Sequence, residues 1–258
     1  VEFRPHRTSP ALVAAAVALV PVGAALLVWN AARQSTEVRL AAAVESFRHH
    51  DAPPAATAVA GVPAAGVYTY TASGSERAFL GPASIRRPVP AEARYVVTPS
   101  PGGWTAELRV SEEHTEAMRY RVGAAWTTMT WRRVDVTFLG VGRDDRRPLT
   151  PAVPWMPRRP EVGARWDVAY SAWKLRTTGT SAVVGRESIT LDGRAEPVFV
   201  VASRTVTTGA HGGPRTERVW WSPRLSLPLR IESDTRLGGA VGFSSRVRLD
   251  LRSGVPQR

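Results

Sequence analysis

Cysteine is missing from this sequence and lysine occurs once, as Lys174. Without cysteine there are no disulfides, no thiolate metal sites and no lipid-attachment residue of a lipoprotein. No glycine-rich phosphate loop or nucleotide fingerprint occurs, and no helical period recurs after residue 51. Acidic residues are in the minority, 22 against 34 basic ones, for a net charge of +12. The excess is spread along the chain, with no basic helix or zinc module, so nucleic acid is not the expected partner. Outside a membrane, the polyanions such a chain meets are lipid head groups and wall polymers. The heavy use of Ala, Arg, Gly, Pro and Val is that of a GC-rich genome, in which arginine replaces lysine.

The first positive feature is the uncharged run Ala11–Trp29. As a helix it measures about 28 Å, enough to cross a bilayer core. Ser9 and Pro10 suit its start, Trp29 suits the interface, and Pro21 with Gly23 predicts a kink. A cleaved signal peptide is the competing reading. The run exceeds the usual length of about 7–15 residues, and Val28–Ala32 offers no clean cleavage site, which favours a retained anchor. Arg4 and Arg7 before the span, with a large domain after it, place the C-terminal part outside.

The expected layout is a cytoplasmic tail (1–10), a transmembrane helix (11–29), a helical stem (30–51), a Pro/Ala linker (52–65) and an antiparallel β domain (66–258). From Gly66 the apolar period becomes two. Trp104, Ala106, Leu108 and Val110 share one face, and Val247, Leu249 and Leu251 oppose Arg246, Arg248 and Asp250. Asp192-Gly193 predicts a tight hairpin turn, and Ser222-Pro223 with Leu227-Pro228 brackets another reversal. The predicted fold class is mainly β, a curled antiparallel sheet forming an open or half barrel.

Gly66-Val-Tyr-Thr-Tyr70, Pro160-Glu-Val-Gly163-Ala-Arg-Trp166 and Glu217-Arg-Val-Trp-Trp-Ser-Pro223 running into Leu227-Pro-Leu-Arg230 carry a resemblance. Over roughly residues 66–252 the chain resembles an uncharacterised family of actinobacterial membrane-anchored β-domain proteins. More distantly it is similar to the curved-sheet envelope proteins of the lipoprotein-carrier type. That likeness implies a concave sheet able to hold acyl chains. The membrane helix departs from the carriers, because an anchored domain cannot shuttle.

Chemistry is sparse. Ser171-Ala-Trp-Lys174 has the serine–x–x–lysine spacing of penicillin-recognising enzymes. It lies in period-two sequence, where residues three apart face opposite ways, and a second lysine motif is impossible. The histidines lack spaced partners, and Glu112-Glu113-His114 reads as a turn of solvated charge. No catalytic, cofactor or metal residue is assigned. Most of the nine tryptophans are expected to fill the concave side. One stretch stands apart: the proline-rich Arg143–Pro160, read as a loop with Val153, Trp155 and Met156 at its tip. Arg146, Arg147, Arg158 and Arg159 flank that tip, making Trp155, Met156 and these arginines a candidate membrane or partner contact. The alternative folds Trp155 back as a lid.

The expectation is a single-pass cell-membrane protein with an extracytoplasmic, non-catalytic binding domain for an apolar or lipid-like envelope ligand. The alternative is a structural or assembly partner of other envelope proteins.

Overall fold

The computed structural model describes residues 33–50 and 61–258, apart from 139–140, 173, 210–211 and 240, and only the backbone at 50, 80, 141–147 and 241. The tail, the run Ala11–Trp29 and most of the Pro/Ala linker lie outside the described residues. Among the described residues no helix is long and apolar enough to cross a membrane.

Among the described residues thirteen strands follow one helix, α1 (Leu40–His50). They are β1 (Gly66–Leu80), β2 (Ala83–Pro88), β3 (Glu92–Ser100), β4 (Gly103–Ser111), β5 (His114–Val122), β6 (Trp126–Phe138) and β7 (Val141–Pro157). The rest are β8 (Arg165–Ala172), β9 (Leu175–Leu191), β10 (Arg194–Thr208), β11 (Gly213–Ser222), β12 (Leu227–Leu237) and β13 (Val241–Leu251). From β3 to β13 each strand pairs with the next, and β13 pairs with β1 from Tyr70↔Leu251 to Leu80↔Val241. Twelve strands thus close into a barrel, with β2 as a side strand. The expected open or half barrel is corrected on this point. Closure removes the two free edges that an open sheet would expose.

β1 organises the closure. Its first half pairs with β3 and its second half with β2, while its other edge takes β13. Pro88 and Pro90 separate β2 from β3, but Val89 N–H to Gly74 C=O and Ala72 N–H to Ala91 C=O carry the ladder across the break. The C-terminal tail completes the wall through paired Val67 and Gln257 backbone bonds of 2.8 and 2.9 Å.

The stretch read as a loop, Arg143–Pro160, is mostly strand: β7 pairs with β6 over its first half, Val141 to Pro148, and again at Val153, Pro154, Met156 and Pro157. Two register shifts in β6, at Thr127/Thr128 and Met129/Trp131, absorb the misfit. Towards β8 the proline argument does apply. Pro148, Pro151, Pro154 and Pro157 have no N–H to donate. Among the described residues a single register pair, Thr150↔Ser171, joins β7 to β8.

Inward positions of the strands near β3–β4 and β9–β12 make the main core, with Tyr68, Tyr70, Tyr95, Trp104, Trp221 and Leu229 among its buried members. The two predicted faces hold, since Trp104, Ala106, Leu108 and Val110 are buried, as are Val247, Leu249 and Leu251. Asp192 and Gly193 take φ of 50° and 74°, the positive values a tight β9–β10 hairpin demands.

The helical stem is shorter than expected. Residues 34–39 carry no regular structure, and α1 lies on the outside of the wall rather than standing free. Val38, just before the helix, and Ala43, Val44 and Phe47 on one face of it cover Val67 and Val96. Glu37 and Glu92 flank the buried Arg94 beneath this strap.

Candidate functional site: the polar half of the lumen

The lumen changes character along its axis. Towards the β3–β4 and β11–β12 turns it is filled by stacked rings. Trp104 lies 4.9 Å from Tyr120, Tyr120 lies 4.6 Å from Trp155, and Trp155 meets Trp221 edge-on at 4.8 Å. Trp166 packs on Trp126 at 5.3 Å and donates its indole N–H to the Pro154 carbonyl at 3.1 Å. Offset and edge-on rings at these distances are favourable contacts.

Towards the β1–β2 and β10–β11 turns the inward positions become polar. On β9 to β13 they are mostly small hydroxyl residues, including Thr177, Ser181, Ser203, Thr205, Thr235 and Ser245. Thr177 bonds Thr207 at 2.9 Å and Ser181 bonds Ser203 at 2.8 Å. The facing wall carries charge. Glu76, only 2% exposed, accepts from Arg87 Nε and Nη2 at 2.9 and 2.7 Å, and its other oxygen bonds His114 Nδ1. Arg87 also donates to Thr137 C=O at 2.9 Å and stacks 3.8 Å over the Phe138 ring. His114 Nε2 lies 3.6 Å from Glu116. Glu116 accepts from Arg132 at 2.7 Å and from Arg215 at 3.1 Å, and Arg215 also holds Glu217 at 2.5 Å.

β5 and β11 lie six strands apart in a ring of twelve, so the Glu116–Arg215 pair spans the lumen from wall to opposite wall. Burial works against every charge in this chain of contacts. Burial alone would lower the His114 pKa, but the Glu76 charge and the bonds to both carboxylates push it up to about 9. Burial would likewise raise the two glutamates. His114 and Arg87 hold Glu76 below its ordinary value, and Arg215, Arg132 and His114 hold Glu116 well below. With a carboxylate on each ring nitrogen, His114 is a fixed cation rather than a poised base.

The guanidiniums at the centre are enclosed but not sealed. Arg132, Arg215 and Glu217 each keep 23% of their side-chain surface accessible within the lumen, whereas Glu116 keeps 11%. Arg132 Nε is buried without a hydrogen-bond partner. The arrangement can bind a small polar or anionic group. It offers no nucleophile paired with a free base.

The sequence-predicted contact residues lie elsewhere and are not brought together. Met156 is buried and Trp155 belongs to the ring stack, so neither forms an exposed tip. Arg146 and Arg147 face Arg133 and Arg132 in backbone register. Arg158 lies over Gly61, and Arg159 is exposed in the β7–β8 turn. His114, expected in a solvated turn, begins β5 and is buried. Sequence reasoning passed over the residues that do meet. Their signal is phase: Glu76 is in step with Tyr70 and Ala72, His114 and Glu116 with Met118 and Tyr120, Arg215 and Glu217 with Val219 and Trp221. Charges on an apolar phase mark a charged interior.

No family model matches this chain, and no curated protein matches it. Among solved structures, the chain is similar to the hypothetical lipoprotein YmcC from Escherichia coli (K12), with 12% identity over 74% of this chain and 86% of that one and a TM-score of 0.31.

Proposed function

We propose that this chain is a non-catalytic binding protein of the cell envelope, held by the run Ala11–Trp29, that takes its ligand in the polar half of the barrel. The observation that carries the reading is the accessibility of Arg132, Arg215 and Glu217 deep inside a closed wall. Charges enclosed by a wall yet left with accessible surface keep part of their solvation and can exchange that water for a polar or anionic group of a ligand. Of the apolar or lipid-like ligands expected from the sequence, the ring stack argues against a wholly apolar one. An acyl chain in that half would have to displace Trp104, Tyr120, Trp155 and Trp221. A ligand with a polar or anionic head fits better.

Native mass spectrometry of the detergent-extracted full chain tests this. An additional mass from a bound anionic small molecule is expected. Thr205→Leu fills the polar half without removing a charge, and it should shed that mass at an unchanged melting temperature. A wild-type chain with no adduct in any preparation would leave the assembly-partner reading, which the filled aromatic half favours.

A further inference from the structure

Beside β2 the wall is held without a ladder. β2 pairs with β1 along its whole length, and among the described residues no strand takes its other edge. The contacts across that gap run to β5 and β6. Glu76 on β1 bonds His114 at the start of β5, and Arg87 on β2 donates to Thr137 C=O on β6 at 2.9 Å. The same guanidinium lies 3.8 Å over the Phe138 ring. β7 and β8 also share little register, but rings close that place, where Trp166 packs on Trp126 and bonds Pro154 C=O. Beside β2 the closure is made by polar side chains and faces the polar half of the lumen.

The segment leading into α1 crosses this gap. Ser35 donates to Pro88 C=O, next in the chain to Arg87. Thr36 C=O accepts the Glu112 N–H at 3.0 Å, and Thr36 N–H reaches both carboxylate oxygens of Glu113 at 3.0 and 3.2 Å. Glu113 directly precedes His114, and its C=O accepts the Thr137 N–H at 2.8 Å. Two adjacent residues thus clasp the end of β2 to the β4–β5 turn, beside the two side chains that share Glu76.

We propose that the gap between β2 and β5–β6 is the entry port of the polar half, and that Ser35–Thr36 is its clasp. The proposal rests on the binding reading given above. Parting the gap breaks the Arg87–Thr137 and Glu76–His114 bonds but strands no buried charge. Arg87 keeps Glu76, its register partner on β1, through Nε and Nη2 at 2.9 and 2.7 Å. His114 keeps Glu116, 3.6 Å from its Nε2. Separating buried charges is costly chiefly when one of them is left alone, and here both keep a partner. No strand ladder is broken either. Behind the gap, Glu116 leads to Arg132 and Arg215, the guanidiniums with accessible surface. A small anionic molecule entering there meets them next.

Because the sequence has no cysteine, a single thiol reports access cleanly. Ile85→Cys places one at a buried position of β2 beside the gap, and Thr205→Cys places one on β10 within the polar half. Val153→Cys, buried among the rings, reports global loosening. Each is made in the full chain with the clasp intact and with the clasp released by Ser35→Ala and Glu113→Gln, two positions that are not buried. The reagent is sulfonatoethyl methanethiosulfonate, a small anion. Releasing the clasp should speed labelling at 85 and 205 by about tenfold or more and leave 153 slow. Ser35→Ala alone, which removes no charge, should give a smaller rise at the same two positions. Faster labelling at 85 only shows a fraying strand and overturns the port, as do unchanged rates at both or an equal rise at 153. A port upheld by labelling in a chain that never carries a bound mass would sink the binding reading and leave the opening standing.

Discussion

Glu76 on β1 and His114 on β5 join inside the lumen, one carboxylate oxygen on the imidazole Nδ1 and the other on Arg87. This contact ties the closing strand of the barrel to the wall that carries Glu116, and Glu116 in turn reaches Arg215 on the opposite side. The barrel is therefore cross-braced by charge at one end and by stacked rings at the other.

The brace makes stability depend on pH. An unfolded histidine titrates near about 6.5, and His114 in the fold is pushed up to about 9. A raised pKa means the folded state holds the proton more tightly. The contribution is then complete below about pH 6.5 and is lost as the pH rises through about 9. Its size is on the order of 3 kcal/mol. The urea midpoint should fall steadily between pH 6.5 and 9, and His114→Gln should flatten that slope. A wild-type midpoint constant across this window would count against the brace.

Breaking the Glu76–Arg87 pair should cost more than removing it. Glu76→Gln leaves Arg87 buried, 2% exposed, with its charge uncompensated, a loss of roughly 3–5 kcal/mol. Glu76→Gln combined with Arg87→Met removes both charges and should recover at least half of that loss at pH 7. A double variant as unstable as the single one would place the cost in packing instead.

The ring stack predicts a graded response among tryptophans. Trp155→Ala removes contacts with Tyr120 and Trp221 and should cost roughly 3–5 kcal/mol, with a fall in near-ultraviolet circular dichroism. Trp131 has Arg119 beside its ring and lies outside the core cluster, so Trp131→Ala should cost under about 1 kcal/mol. Equal costs would put Trp155 outside the stack.

Much of the architecture could be read from alternation, because a half-buried strand repeats every two residues and a turn such as Asp192-Gly193 has few alternatives. Closure could not be read, since nothing local in β1 or β13 says that Tyr70 meets Leu251. The β7 reading failed for a related reason. Four prolines disqualify a strand only where both edges must donate, and β7 is extensively paired on one edge alone. The candidate site is not legible in the sequence because charge ordinarily marks a solvated face. Glu116 and Arg215 are far apart in the chain, and only the barrel's closure makes them partners.

The β7–β8 junction yields the last prediction. β8 pairs with β9 at every residue from Arg165↔Ala182 to Ala172↔Leu175, yet among the described residues it meets β7 only at Thr150↔Ser171. In an antiparallel strand successive N–H groups point to opposite neighbours. Half of the β8 amides thus face β9 carbonyls, and the other half face a strand that supplies almost no ladder. β10 is paired on both sides, with β9 and with β11. Amide exchange follows the free energy of the local opening that frees each N–H, and singly paired strands open most readily. In hydrogen–deuterium exchange of the full chain, peptides covering 165–172 should exchange at least tenfold faster than those covering 198–206. Within β8 the protection should alternate residue by residue. Uniform, slow exchange across β8 would show that the wall is closed there by bonds the strand register does not contain.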